Sequence, residues 1–99
     1  MIGDTIRMLR DARGFTPEQL AENVGVSLQA IENYEANIWR PGTKIISKIA
    51  ECFGVTLKEI MNGYSLLYDD EQHEILVARN MGGNRLRVIR RVKEEISKR

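Results

Sequence analysis

With 99 residues, 42% hydrophobic and 29% charged, the chain is sized for one small domain, or for a domain of about 60 residues with an appendage, and its composition is globular rather than disordered or collagen-like. A formal net charge of +1 gives no overall electrostatic pull toward nucleic acid, and no apolar run approaches the roughly 18 residues that would span a bilayer. A lone cysteine, Cys52, and a lone histidine, His73, exclude an internal disulfide and fall short of a structural zinc site, so neither metal nor cofactor is expected.

Ile2, Ile6 and Leu9 recur at helical spacing and predict a first helix that stops at Arg13-Gly14, where glycine can take the left-handed conformation. Thr16-Pro17-Glu18-Gln19 then opens a second helix. Thr16 and Gln19 form a capping box, and Pro17 stands at the first helical position, where its missing N–H costs nothing. Leu20, Ala21 and Val24 should face inward, with Gly25 ending the helix. Ser27 is the expected cap of a third helix that buries Ile31 and Tyr34 and leaves Leu28, Gln29, Glu32 and Asn33 nearer the outside. Two short helices joined by a tight turn at Gly25 make a helix-turn-helix.

Asn37 follows the third helix and tolerates a left-handed C-cap better than most residues. Ile38-Trp39-Arg40-Pro41-Gly42 breaks the pattern, and Thr43 is the expected cap of a fourth helix through Ile46, Ile49, Ala50 and Phe53 to Gly54. Thr56-Leu57-Lys58-Glu59 is a second capping box, and it opens a short fifth helix that ends near Asn62-Gly63.

Beyond Gly63, the acidic start Asp69-Asp70-Glu71 predicts a helix over about 70–81. Gly82-Gly83-Asn84 breaks it. Leu86, Ile89, Val92 and Ile96 then mark a last amphipathic helix. The expectation is therefore an all-α chain: a five-helix domain over residues 1–63 and a C-terminal helical hairpin over 64–99. Such a hairpin has too small a core to stand alone. Its apolar residues Ile75, Leu76, Leu86, Ile89, Val92 and Ile96 are expected to pack against a second copy, giving a homodimer.

Ile6-Arg7-x-Leu9-Arg10, Thr16-x-x-x-Leu20-Ala21, Gly25-Val26-Ser27, Ile31-x-x-Tyr34-Glu35, Pro41, Ile49-Ala50 and Phe53-Gly54-Val55 together resemble the Cro/repressor-like, or xenobiotic-response-element, helix-turn-helix family over about residues 2–63. The resemblance implies a five-helix bundle of a prokaryotic or phage transcription regulator, with the second helix across the DNA backbone and the third in the major groove. It places Ser27, Leu28, Gln29 and Ala30 at the leading end of the recognition helix and Glu32 and Asn33 one turn later. Gln29 is the best base-reading candidate, because its amide matches adenine N6 and N7, and Leu28 suits a thymine methyl. Thr16, Tyr34, Trp39, Arg40 and Lys44 complete the implied DNA-binding set, with Lys48 adding positive charge. Arg10 and Glu35 resemble the family's ion pair between the first and third helices and are read as structural.

Two positions depart from the family pattern. Pro17 replaces a frequent phosphate-contacting Gln, and Trp39 stands where an Arg is common two residues before the proline. Residues 1–63 also carry seven Lys/Arg against eight Asp/Glu, a net −1, whereas residues 64–99 carry eight against six. The basic run from Arg85 to Lys93 flanks an apolar stripe, as solvated or partner-facing helix faces do, with a second DNA contact as the alternative.

No phosphate-binding glycine loop, activated nucleophile or distinctive carboxylate pair points to an enzyme. No basic segment followed by an apolar core begins the chain, so a cytoplasmic location is expected. The leading expectation is a homodimeric repressor on a palindromic operator in double-stranded DNA, open to a regulatory protein partner. The alternative is a protein-interaction module without DNA, an antirepressor or a partner of another regulator.

Overall fold

The computed structural model describes residues 1–68, 74–78 and 88–90; from residue 65 onward the description is of backbone alone, except at Leu76. Five helices come first: α1 (Ile2–Ala12), α2 (Pro17–Val24), α3 (Leu28–Glu35), α4 (Thr43–Phe53) and α5 (Leu57–Asn62). Three strands follow: β1 (Tyr64–Tyr68), β2 (Glu74–Ala78) and β3 (Val88–Arg90). Among the described residues no helix is long and apolar enough to cross a membrane.

Local chemistry fixes most helix ends. Thr16 and Gln19 form the expected reciprocal box, with Gln19 N–H donating to Thr16 Oγ1 at 3.1 Å and Thr16 N–H donating to Gln19 Oε1 at 2.9 Å. Thr56 and Glu59 repeat it, at 3.0 and 2.9 Å. Between α2 and α3, Gly25 takes φ +83°, a conformation that costs a side-chain-bearing residue about 1–2 kcal/mol. The N–H groups of Gly25 and Val26 both donate to the Ala21 carbonyl there, which turns the chain toward α3. The N-cap of α4 is Gly42, not Thr43: Thr43 is the first helical residue, and no side chain caps that end. Pro41 is buried just ahead of it and holds the entry to the helix extended.

The core forms where the inner faces converge. Ile6 and Leu9 of α1, Leu20, Ala21 and Val24 of α2, Ile31 of α3, Ile46, Ile49, Ala50 and Phe53 of α4, and Ile60 of α5 are all buried in one cluster. Each large aliphatic side chain stabilises the fold by roughly 1.5–3 kcal/mol when fully buried, so this cluster dominates the energetics. Polar links tie its edges. Arg10 donates from Nε to Glu35 Oε2 at 2.6 Å and from Nη2 to Oε1 at 3.1 Å, while its Nη1 reaches the Phe15 carbonyl at 2.9 Å. The pair thus joins α1 to α3 as expected. Arg13 Nε donates to the Phe53 carbonyl at 3.1 Å, placing a cation on an open acceptor at the C-terminal end of α4.

The second half differs from expectation. Residues 74–78, inside the expected helix over 70–81, form strand β2, and Val88–Arg90, inside the expected last helix, form β3. The sheet is antiparallel in the order β1-β2-β3, with Leu66 opposite Leu76 and Leu76 opposite Ile89. The physical reason lies in residue type. Ile75, Val77, Val88 and Ile89 are β-branched, and Tyr64 and Tyr68 are aromatic, so these short runs favour a pleated surface over a helix. Gly63 at φ +91° and ψ 178° ends α5 and delivers the chain into β1 already extended. The sheet is not free of the bundle: Tyr64 and Leu76 are buried in the helical core, and β2 contacts α1. Leu76, expected at an interface between copies, is therefore spent inside its own chain. The remainder of both expected tail helices, including His73, Leu86, Val92 and Ile96, lies outside the described residues.

Candidate nucleic-acid interface

The helix-turn-helix is built from the inside outward. α2 presents Leu20, Ala21 and Val24 to the core and α3 presents Ile31, which fixes the rotation of both helices and so decides what α3 turns toward solvent. Ser27 Oγ accepts the Ala30 N–H at 3.1 Å and starts α3 cleanly. Gln29 and Glu32 are exposed, and Leu28 and Asn33 are partly so. These four form the outward surface of α3, as expected. Ala30 does not belong to it: only 7% of its surface is exposed, so the helix turns it inward, one residue beyond Gln29.

Gln29 and Asn33 are joined. Gln29 Nε2 donates to Asn33 Oδ1 at 3.3 Å, a contact between residues one helical turn apart. Thr16 is exposed at the leading end of α2, with its hydroxyl already engaged by the Gln19 N–H. Tyr34 is partly buried against the core, and its ring meets Trp39 edge-on at a centroid distance of 6.4 Å. Trp39 is half exposed, so its indole covers Tyr34 on one side and faces solvent on the other.

Past the tryptophan, Arg40 and Lys44 are exposed, as is Lys48 further along α4. Among the described residues none of the three forms an ion pair, whereas Arg10 is neutralised by Glu35. The Arg10–Glu35 pair leaves the net −1 of residues 1–63 unchanged, but Arg40 and Lys44 leave exposed positive charge at the N-terminal end of α4. That end is also without a side-chain cap, so first-turn N–H groups add to the same positive surface. Glu32 forms no ion pair among the described residues and is the one acidic side chain on the outward surface of α3.

Sequence reasoning missed Ile38 and Asn37. Ile38 is 68% exposed beside Trp39, and its residue type gave no signal of that. Asn37 was legible as a left-handed residue, and it takes φ +62°, but its second task is to bond across to α1. Cys52 lies at the core margin, within 3.8 Å of Asn23 Nδ2, and burial raises its thiol pKa above the ordinary value.

Comparison with known proteins places this geometry. A family model for the helix-turn-helix matches residues 6–60, more than half of the chain. The HTH-type transcriptional activator BcrR of Enterococcus faecalis is 33% identical over 64 residues, covering 65% of this chain and 31% of the activator. The HTH-type transcriptional regulator MJ0272 of Methanocaldococcus jannaschii is 33% identical over 67 residues, covering 68% of this chain and 94% of that regulator. The chain thus matches about a third of the first relative's length and nearly all of the second's. Among solved structures, the DNA complex of SinR, a master regulator for biofilm formation in Bacillus subtilis, superposes with a TM-score of 0.59 at 26% identity, over 62% of this chain and 98% of that one. The matched segment runs from α1 to α5 and contains the whole surface just described, and the chain belongs to the Cro/C1-type helix-turn-helix family of transcription regulators.

Proposed function

We propose that the chain is a sequence-specific DNA-binding transcription regulator that inserts α3 into the major groove of a palindromic operator. The observation that carries this reading is that Gln29, Glu32 and Asn33 face outward on α3 while the Ile38 and Trp39 N–H groups donate to the Asn33 carbonyl at 2.9 and 3.2 Å, which ties the loop leading to the exposed Arg40 to the end of that helix. A helix with outward polar groups, followed along the chain by exposed cations that no described ion pair cancels, supplies both parts of groove recognition, base readers and phosphate binders. The half-exposed Trp39 adds an indole N–H donor, and Leu28 a methyl-bearing surface for thymine. The SinR complex with DNA supports the placement through its likeness in fold.

The regulator acts as a homodimer in this reading, with two α3 helices about 34 Å apart on successive major grooves. Ile75, Leu86, Val92 and Ile96 are its proposed contacts; Leu76 is removed from that set because it is buried in its own core, and Ile89 with it because its register position opposite Leu76 lies on the same face of the sheet. Occupying a promoter would make it a repressor.

Selection of bound sequences from random DNA tests the function directly. A palindromic consensus, bound with an affinity that falls steeply with salt, is the expected result. The absence of binding at low salt would instead favour a protein-interaction module. Light scattering that finds a monomer at high micromolar concentration with operator binding intact would reject the dimer.

A further inference from the structure

We propose that Gln29 and Asn33 read DNA as a single unit, Asn33 acting as a positioning residue that fixes the Gln29 amide in the orientation selective for adenine. The inference rests on α3 being the recognition helix. Its observation is the bond from Gln29 Nε2 to Asn33 Oδ1 at 3.3 Å on the outward side of that helix.

A glutamine amide carries one acceptor and two N–H donors, and a free one samples both faces by rotation about its last torsion. Adenine N6 and N7 present a donor beside an acceptor, so a bidentate match needs Oε1 toward N6 and one Nε2 hydrogen toward N7. The hydrogen used in that match is the one on the same side as Oε1. The other hydrogen points away, and this is the one that Asn33 Oδ1 can hold without competing for the base.

Guanine presents two acceptors, O6 and N7, to the same place. With Asn33 Oδ1 on its outer hydrogen the amide sets Oε1 against O6 and is repelled, and turning a donor to O6 requires Asn33 to rotate with it and donate its own Nδ2–H to Oε1; an amide without that partner turns freely and recovers part of the contact. Asn33 therefore contributes selectivity more than affinity. The lock also explains why two amides stand one turn apart on an exposed surface, where neither is needed for the core: Gln29 is exposed and Asn33 is partly so.

The experiment measures operator affinity for the wild-type chain and for Gln29→Ala, Asn33→Leu and Asn33→Asp, with each base pair of the selected consensus changed in turn. In the wild type, adenine should exceed guanine at the pair that loses its preference in Gln29→Ala. Asn33→Leu removes the acceptor and should lower that preference about tenfold at the same base pair. Asn33→Asp keeps an acceptor oxygen, so the preference should persist while its new charge weakens binding to all sequences alike. Combining Asn33→Leu with Gln29→Ala should cost no further selectivity.

Unchanged selectivity in Asn33→Leu would overturn the proposal. So would a loss confined to a different base pair, which would make Asn33 an independent reader, or a loss of adenine preference in Asn33→Asp. Failure of the wild type to bind any DNA would reject the recognition-helix reading itself and this pairing with it. Circular dichroism melts of the variants separate a loss of selectivity from a loss of fold.

Discussion

Asn37 Oδ1 accepts the backbone N–H of Gly3 at 2.9 Å, so a residue just past the end of α3 caps the start of α1 from 34 positions away. Its Nδ2 donates to Asp4 Oδ1 at 3.2 Å, and its own backbone is left-handed at φ +62°. Met1, the residue before α1, supplies no side-chain cap, so this is a substitute for one. The approach is close enough that a Cβ on Gly3 would collide with the Tyr34 carbonyl oxygen. Asn37→Gly should lose only the cap and destabilise by about 1 kcal/mol, whereas Asn37→Ala should also carry the left-handed strain and cost about 2–3 kcal/mol. Gly3→Ala should be destabilising as well. Urea denaturation of the three variants checks the ranking.

Arg10 and Glu35 make a second long-range polar link, between α1 and α3, with side chains 15% and 11% exposed. Removing one partner strands the other charge in a largely dry site. Because neither side chain is fully buried, the loss should lie near the low end of the range for such pairs, about 2–3 kcal/mol for Arg10→Met or Glu35→Gln. In a double-mutant cycle the combined variant should be less destabilised than the sum of the two.

The helical half of the fold was legible because each of its signals is local. Thr16, Gln19, Ser27, Thr56 and Glu59 lie within three residues of the groups they cap, and the inward residues of α2 follow directly from helical period. Ala30 enters the implied DNA-binding set through its family position at the leading end of α3, and rotation about the helix axis turns it inward. Residues 74–78 and 88–90 differ from the helical expectation because the acidic start at Asp69-Asp70-Glu71 and the spacing of Leu86, Ile89, Val92 and Ile96 fit helices, while the β-branched content of those two described segments is the better signal. Strand pairing such as Leu66 with Leu76 is non-local and leaves no mark in a single helical window. The Gln29 to Asn33 bond was compatible with sequence spacing but not dictated by it.

Leu76 tests the attachment of the sheet to the bundle. It is 2% exposed and shares the core with α1 and α5, so Leu76→Ala should leave a cavity and destabilise by about 2–5 kcal/mol. Because the same core holds Ile6 and Ile60, unfolding should remain one cooperative transition when followed by far-ultraviolet circular dichroism and by the fluorescence of Trp39 on the helix-turn-helix side. A variant as stable as the wild type would mean that the sheet adds nothing to the bundle.

Cys52 gives a pH signature. Burial raises its thiol above the ordinary value of 9.0, and the Asn23 hydrogen bond offsets this only in part. As pH rises past 9.0, unfolded chains release the thiol proton first while native chains retain it, so stability falls across the interval up to the native pKa. Cys52→Ala should flatten that decline. Below the interval both states hold the proton, and the group contributes no pH dependence. Iodoacetamide modification of the native chain, followed from pH 7 to 10, should lag that of a free thiol throughout, because only the thiolate reacts.

Arg40, Lys44 and Glu32 separate phosphate contact from base reading. Arg40 and Lys44 carry charge that no described ion pair cancels. Replacing both with alanine should weaken binding to operator and to random DNA by similar factors and reduce the slope of log affinity against log salt by about 2 per protomer. Glu32 predicts the opposite sign. It faces outward on α3 and repels phosphates, so Glu32→Gln should strengthen binding to random DNA. If the same substitution weakens operator binding at a single C·G pair, Glu32 is accepting from the cytosine N4 amine. Gel shifts over a salt series with both DNA classes measure the two effects together. A Glu32→Gln chain that gains equally on operator and random DNA has lost only repulsion, which would leave base reading on α3 to Gln29 as positioned by Asn33.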